Sequence, residues 1–202
     1  MRRDKLNINE LMKAFQGADT LGQLIRQAED EYWKEGRVIC EIHLNEILLS
    51  ENEEQSHQNL ELESIATIEF VTSEEKELVK ENVQTLSDEI KNIIHLSENY
   101  VEKMFTGNLD ENHVLFLEIV QRLDIVVNNL FVLKVKVCSD VTSENHRRWE
   151  LAEVKLSSCI RQLLNSFESK NFSAMSDIID YELLGIFDNW LEILSSSDIL
   201  NE

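Results

Sequence analysis

The sequence contains no proline, although average usage near 5% would place about ten in a chain of 202 residues. Proline interrupts helices and central strands, so its absence is typical of long uninterrupted helices. Only five glycines are present, and no phosphate-binding loop, dinucleotide fingerprint or Gly-x-Ser-x-Gly elbow occurs. These absences disfavour nucleotide-binding enzymes and serine hydrolases, and they favour a mainly helical protein.

Basic residues are also scarce: 19 Lys and Arg stand against 39 Asp and Glu, a formal net charge of -20. Binding to nucleic acid or to anionic lipid requires cations that neutralise phosphate, so we expect neither a nucleic-acid partner nor a membrane partner. The acidity either keeps a helical protein dissolved or matches a basic or aggregation-prone protein. A hydrophobic fraction of 43% excludes general disorder.

The cysteines are few and widely spaced, at Cys40, Cys138 and Cys159. Because no Cys-x-x-Cys pair occurs, they indicate neither a disulfide framework nor a zinc ribbon, and we expect small core residues in a reducing compartment. No apolar signal-peptide region follows the basic N-terminus, and the densest apolar stretch, residues 125–137, is too short and too polar to span a bilayer. We therefore expect a cytoplasmic protein.

Residues 1–72 are predicted to form a small α+β appendage that begins with a helix over residues 1–36. Apolar residues in this stretch recur at helical spacing behind a capping pattern. The stripe consists of Leu21, Leu24, Ile25 and Ala28. The boundary signals are Asn7 or Asn9 as a cap, Thr20 with Gln23 as the capping pattern, and Gly36 as the stop.

A change of period after this helix predicts strands. Apolar residues alternate along residues 38–44, as in a half-buried strand. Asn45-Glu46 lies where a hairpin turn is expected, with residues 47–49 returning as a second strand. Residues 50–59 are expected to form an acidic polar loop and residues 66–71 a third strand. We expect this small antiparallel sheet to pack on the N-terminal helix or on the helical body.

Two long helices are predicted next. The first is expected to start at Thr72-Ser73, where hydroxyl caps precede acidic residues, and to end at Gly107. The second is expected to open at Asp110 and to include residues 134–137, although these alternate as a strand does. Its wide apolar arc predicts a central, mostly buried helix. Residues 139–143 are interpreted as a linker.

Residues 144–197 carry two further helical stripes, which meet at the short break Lys170-Asn171-Phe172. Two such stripes joined by a tight turn can bury each other as an antiparallel hairpin. Residues 73–202 are therefore predicted to form an antiparallel up-and-down four-helix bundle. The two stripes are Trp149, Ala152, Leu156, Ile160, Leu163 and Phe167, and then Ile179, Leu183, Ile186, Trp190 and Leu194.

The run Gly107-Asn108-Leu109-Asp110-Glu111 before an apolar helix resembles the second hairpin of the bacterial flagellin export chaperones. Leu163-Leu164-Asn165-Ser166, continuing to Lys170-Asn171-Phe172 and followed by Trp190, resembles it too. The resemblance covers residues 98–195 and implies a small acidic cytoplasmic bundle that wraps a helical segment of unpolymerised flagellin. The tail Asp177-x-x-Asp180-Tyr181-Glu182-Leu183 also resembles uncharacterised bacterial helical proteins, which implies no activity.

Chemical constellations are weak in this sequence. A di-iron bundle site needs Glu-x-x-His on two helices, whereas the chain has Asp110-x-x-His113 and the reversed His95-x-x-Glu98. Arg147-Arg148-Trp149 either grips a carboxylate or forms a solvated helix start with one buried Trp. We expect no catalytic residues, no metal and no cofactor.

The sequence therefore predicts a noncatalytic cytoplasmic binding protein, of the secretion or flagellar chaperone type, that binds an apolar helical segment of a client. The alternative is a structural or regulatory helical module that associates with its own copy. The sequence identifies neither the client nor the residues that bind it.

Overall fold

A computed structural model of the chain describes residues 1–7, 10, 13–106, 109–138 and 142–196. The chain is mainly helical with a small antiparallel sheet, as the composition predicts. It divides into two compact units, Met1–Leu78 and Val79–Glu202, whereas the sequence pattern places the division between residues 72 and 73. Within the described residues, no helix combines the length and the apolar character needed to cross a membrane.

Unit 1 packs helix α1 against one face of the sheet. Its described strands run in the order β1-β4-β2-β3, and every neighbouring pair is antiparallel. The stripe of α1 is buried as predicted and shares a core with Ile42, Ile68 and Phe70 of the sheet. The elements are β1 (Arg2–Asn7), α1 (Leu21–Lys34), β2 (Arg37–Leu44), β3 (Ile47–Leu48), α2 (Glu51–His57), a 3-10 turn (Leu62–Ser64) and β4 (Thr67–Glu74).

The prediction that residues 1–36 are helical throughout is wrong at the N-terminus. Strand β1 pairs with β4 from Arg2 opposite Thr72 to Asn7 opposite Thr67. Pairing with a distant strand therefore decides its conformation, since β1 contains a single apolar residue and no period of its own. The Asn7 Oδ1 accepts a hydrogen bond from the Glu10 backbone N–H at 3.2 Å, which is the contact expected of the predicted cap.

The boundary signals of helix α1 are confirmed. The Thr20 Oγ1 accepts from the Gln23 backbone N–H at 3.4 Å, which satisfies one of the unpaired donors of the first turn. At the other end, Gly36 adopts φ +70°, a left-handed conformation in which glycine has no steric penalty. Asn9, the other cap predicted from the sequence, lies outside the described residues.

Strand β2 forms where the alternating pattern predicts a strand, but a bulge overturns part of the predicted alternation. The register to β4 shifts between Ile39 and Glu41, so Cys40 has no partner residue of its own and its side chain is exposed. A bulge inserts one residue and reverses the alternation locally. Cys40 is therefore not the core residue expected from its sequence position, whereas Cys138 and Cys159 are buried as predicted.

The hairpin between β2 and β3 turns at Asn45-Glu46, as predicted. Both residues have positive φ, 51° and 71°, as a type I′ turn requires. Asn45 also fixes the start of β4, because its Oδ1 accepts from the backbone N–H groups of Ala66 and Thr67 at 2.9 and 3.0 Å. Glu46 adopts a left-handed backbone conformation that is unfavourable for a residue with a side chain. Its carboxylate forms an ion pair with Lys5 Nζ at 2.9 Å.

The acidic loop predicted over residues 50–59 is instead the short helix α2. Ser50 Oγ accepts from the Glu53 backbone N–H, and the Glu53 carboxylate accepts from the Ser50 backbone N–H at 3.0 Å. This reciprocal capping box satisfies two donors of the first turn, so a polar segment with no apolar stripe still forms a helix.

Unit 2 is helical in its described part. Helix α3 begins at Glu75 and not at Thr72, because Thr72 and Ser73 complete β4 and are buried there. Residues 134–137 are helical, as predicted. Gly107 and residues 139–141 lie outside the described residues. The elements are α3 (Glu75–Thr106), α4 (Leu109–Val137), α5 (Glu144–Glu168), α6 (Phe172–Ile178), a π-helical turn (Ile179–Leu183) and α7 (Leu184–Leu194).

The stripes predicted from the sequence meet in one core within unit 2. Trp149 of α5 and Trp190 of α7 are both buried and pack edge to face, with ring centroids 4.9 Å apart. Phe116 of α4 stacks on Phe167 of α5 at 4.7 Å. Such aromatic pairs add about 0.5–1.5 kcal/mol beyond the area they bury, so both pairs stabilise the core of unit 2.

Candidate functional site

Helix α4 is apolar on two opposite sides. One side enters the core through Phe116, Ile119, Leu123, Val126, Leu130, Leu133 and Val137, all of which are buried. The other side is a stripe of seven residues at steps of three and four, which places them on one helical face. We call it the α4 outer face, and it consists of Val114, Leu117, Gln121, Ile125, Asn128, Val132 and Val135.

The α4 outer face lies open to solvent. Its five apolar side chains are between 43% and 69% exposed, with Val114 at 65% and Val135 at 69%. Gln121 and Asn128 are exposed too, and the adjacent Phe131 is 68% exposed. The prediction of a mostly buried central helix is therefore wrong for this face, because no described part of the chain covers it.

A groove runs beside the α4 outer face toward α3. Its deeper part has a volume of about 270 Å³ and lies between the two helices, from Val79 and Leu86 of α3 to Ile125 and Val132 of α4. A shallower depression of about 590 Å³ continues along α4 past Val114. Ile125 and Arg122 lie in the walls of both depressions, so the two adjoin as one track that is mainly apolar but includes charged groups.

The charged groups beside this track are paired with one another. Arg122 Nη1 contacts Glu89 Oε1 of α3 at 2.7 Å, and its Nη2 contacts Glu118 at 3.2 Å. The hydrogen bond with Glu89 is the main reason that the pKa of Arg122 is raised. On the opposite edge Lys134 contacts Glu153 at 2.6 Å. The outer face itself carries no charge, and Arg122 partly neutralises the acidic residues on its α3 side.

The histidines singled out as candidate metal ligands are dispersed. His113 stacks on Phe167 with ring centroids 5.7 Å apart, while His95 and Glu98 are exposed on α3. His146 Nε2 contacts Glu150 at 3.2 Å, within one helix. Across the described ranges, His, Cys, Asp and Glu side chains nowhere form a group of three that could hold a metal ion. The side chain of Asp110 lies outside the described part.

The Arg147-Arg148-Trp149 cluster is divided between solvent and core. Trp149 is buried and its Nε1 donates to Glu153 Oε1 at 3.2 Å. Arg148 contacts Glu192 of α7 at 3.3 Å, whereas Arg147 is exposed. This is the arrangement of a solvated helix start with one buried Trp, and the described side chains form no anion-binding fork.

Two buried titratable groups of unit 2, Cys159 and Tyr100, are held in their neutral forms. Burial, reinforced by the charge of Glu182, raises the pKa of the Cys159 thiol to about 12, and burial alone raises that of Tyr100 to about 12. A thiol with so high a pKa supplies no thiolate at neutral pH, and nucleophilic cysteine chemistry depends on the thiolate. Cys159 therefore acts as a packing residue.

Comparison of the chain with protein-family models, with curated proteins and with solved structures gives no match. The resemblance to flagellin export chaperones thus stays a prediction from sequence. The α4 outer face is the candidate site that the sequence pattern alone does not predict. Its signal in the sequence is the wide apolar arc of this helix, which by itself predicts a central, mostly buried helix.

Proposed function

We propose that the chain is a noncatalytic protein-binding module of chaperone type, and that its α4 outer face holds an amphipathic helical segment of a client. The observation that carries this proposal is the exposed stripe from Val114 to Val135, about 32 Å long at 1.5 Å per residue. Monomeric proteins rarely expose contiguous apolar patches above a few hundred Å², and those that do use them for binding.

We also propose that unit 2 is an antiparallel up-and-down four-helix bundle, with α6 and α7 together forming its fourth helix. The common core of these helices supports this arrangement. The pairs Arg122 with Glu89, Lys134 with Glu153, and Arg148 with Glu192 support it as well, because each joins two different helices. A bundle of this kind provides a rigid platform for a docked helix, which lowers the ordering cost of binding.

Charge indicates the polar side of the client. The chain carries a formal net charge of -20, while the outer face is uncharged, so a client helix with an apolar face and basic flanks is attracted and then buried. Residues 98–195, which resemble flagellin chaperones, include the whole outer face. On that resemblance we propose a cytoplasmic role, with flagellin or another secreted protein as the client.

The test uses a synthetic peptide of about 20 residues, with leucines on one helical face and lysines on the other, labelled with fluorescein. Fluorescence anisotropy measures its binding to wild type, to Val132→Glu and to Val154→Glu. Val132 and Val154 are matched, since they are 62% and 68% exposed, but Val154 lies on α5. We expect Val132→Glu alone to weaken binding, by at least tenfold, because it places a carboxylate in an apolar contact.

A peptide with the same composition in scrambled order, which has no apolar face, separates helix binding from charge attraction. Equal affinity for both peptides, or equal affinity of the two variants, would contradict the proposal. Salt then gives a second readout, since charge attraction to the acidic chain weakens with ionic strength and apolar contact does not.

A further inference from the structure

The order of apolar and amide residues along the α4 outer face is nearly the same in both chain directions. Its positions are spaced symmetrically about the midpoint between Asp124 and Ile125, so in an antiparallel pair of identical helices apolar residues meet apolar residues and amide meets amide. Ile125 then lies beside the twofold axis, next to its own copy. The opposed pairs are Val114 with Val135, Leu117 with Val132, and Gln121 with Asn128.

We propose that the α4 outer face is covered, in the free protein, by the same face of a second copy in an antiparallel twofold pair, which a client helix must displace. A twofold axis makes an interface self-complementary. The Gln121 and Asn128 amides provide the only polar layers in an otherwise apolar seam, and such layers fix register in paired helices. Displacement of the second copy by a client helix rests on the proposed function, whereas the pairing of the two copies does not.

Charge favours this orientation and this helix. Parallel pairing would set Glu118, Arg122 and Lys136 beside their own copies and would align the two helix dipoles. Antiparallel pairing separates these three residues from their copies and opposes the dipoles, although it leaves the exposed Asp124 near its own copy at the axis. Helix α4 contains four acidic and three basic residues, a net charge of -1, although the chain carries -20. Two acidic molecules can therefore approach along α4 with less repulsion than elsewhere.

The size of the face predicts a weak dimer. A stripe about 32 Å long and about 11 Å wide, the diameter of a helix, covers about 350 Å² on each copy. A stable interface buries about 800 Å² on each partner. The pair is thus expected to dissociate in the micromolar range, which leaves the face available to a competing helix.

Sedimentation velocity of the full chain at increasing concentration tests the pairing. We expect the wild type and Val154→Glu to dimerise alike, and Val132→Glu to raise the dimer Kd at least tenfold, since a twofold axis introduces each substitution twice. Far-UV circular dichroism verifies that the exposed substitutions leave the helices folded. A wild type that stays monomeric to about 500 µM, or equal dissociation of Val132→Glu and Val154→Glu, overturns the proposal.

Register and orientation are tested with charge at the two amide positions. Gln121→Glu combined with Asn128→Lys forms opposite-charge pairs only in the antiparallel dimer and should keep dimerisation within a few fold of wild type. Gln121→Lys combined with Asn128→Lys creates like-charge pairs and should raise the Kd at least tenfold. If both double variants dissociate equally, the antiparallel register is wrong.

Titration of the dimer with the labelled amphipathic peptide completes the test, and peptide binding should convert dimer into a one-to-one complex. A monomer that binds the peptide overturns self-pairing and leaves the proposed function intact. A dimer that the peptide neither dissociates nor binds overturns the proposed function and leaves the pairing intact. The two failures are therefore distinguishable.

Discussion

Replacing Ser97 by alanine is expected to stabilise unit 2. Its side chain lies in the middle of α3 with 0% exposure, and its Oγ has no hydrogen-bond partner among the described residues. A buried hydroxyl without a partner costs about 1–3 kcal/mol of desolvation. Alanine removes that cost, has nearly the same volume, and is favoured in a helix interior by about 0.5 kcal/mol.

The expected gain is about 1–3 kcal/mol, or roughly 3–10 °C in Tm for a unit of this size. Ser87→Ala in the same helix is the matched control. Its hydroxyl donates to the Val83 carbonyl oxygen at 2.7 Å, so the substitution removes a bond worth about 0.5–1.5 kcal/mol while gaining the same helix propensity. The control should therefore be neutral or slightly destabilised.

Urea unfolding followed by tryptophan fluorescence measures both variants. Trp149 and Trp190 are buried in the core of unit 2, so their emission reports on the unit that contains Ser97. The reasoning is refuted if Ser97→Ala unfolds at the same urea concentration as wild type, or below Ser87→Ala. Either result would show that the Ser97 hydroxyl is bonded in solution.

Three further substitutions or reactions test unit 1 and the cysteines. Gly36→Ala should destabilise unit 1 by about 1–2 kcal/mol in chemical denaturation, because φ is +70° there although nothing lies within 4 Å of an added Cβ. Burial raises the pKa of Asp4, but the hydrogen bond and charge of Arg37 outweigh it and hold the pKa below 3.8. That contribution to stability is complete above about pH 4 and is lost as pH falls through the folded pKa. Asp4→Asn should therefore flatten the acid limb of the unfolding free energy below about pH 4. Cys40, which is exposed, should react with a thiol reagent in the native protein at neutral pH, whereas Cys159, buried and with a pKa of about 12, should react only after unfolding. Native reaction at Cys159 would contradict the packing described for it.

The parts of the fold that could be predicted from sequence are those in which a local pattern and the tertiary contacts agree. The stripe of α1 lies between Thr20 and Gly36, which are a cap and a stop with local causes, and both are found where predicted. Helices α3 to α5 carry long apolar periods whose inner residues enter the core. Period and capping chemistry are properties of a few neighbouring residues, so one sequence suffices to reveal them.

The parts that could not be predicted depend on distant residues. Strand β1 owes its conformation to Thr67–Glu74, and the exposure of Cys40 follows from a register shift against that same strand. Neither leaves a local period. The candidate site could not be predicted for a related reason. The periodicity of α4 shows which of its residues are apolar, but it cannot show whether another helix covers them.

The strand order β1-β4-β2-β3 has a consequence for folding during synthesis on the ribosome. Arg2 pairs with Thr72, so once β1 is synthesised it waits for seventy more residues, roughly 4–14 s at 5–20 residues per second, before it can pair. The central pairing of β2 with β4 must likewise await β4. A nascent strand that is mostly charged has little apolar surface to offer other chains during that wait. The polar composition of β1 leaves no apolar period that would predict a strand. The same composition limits aggregation of the unpaired strand before β4 is synthesised.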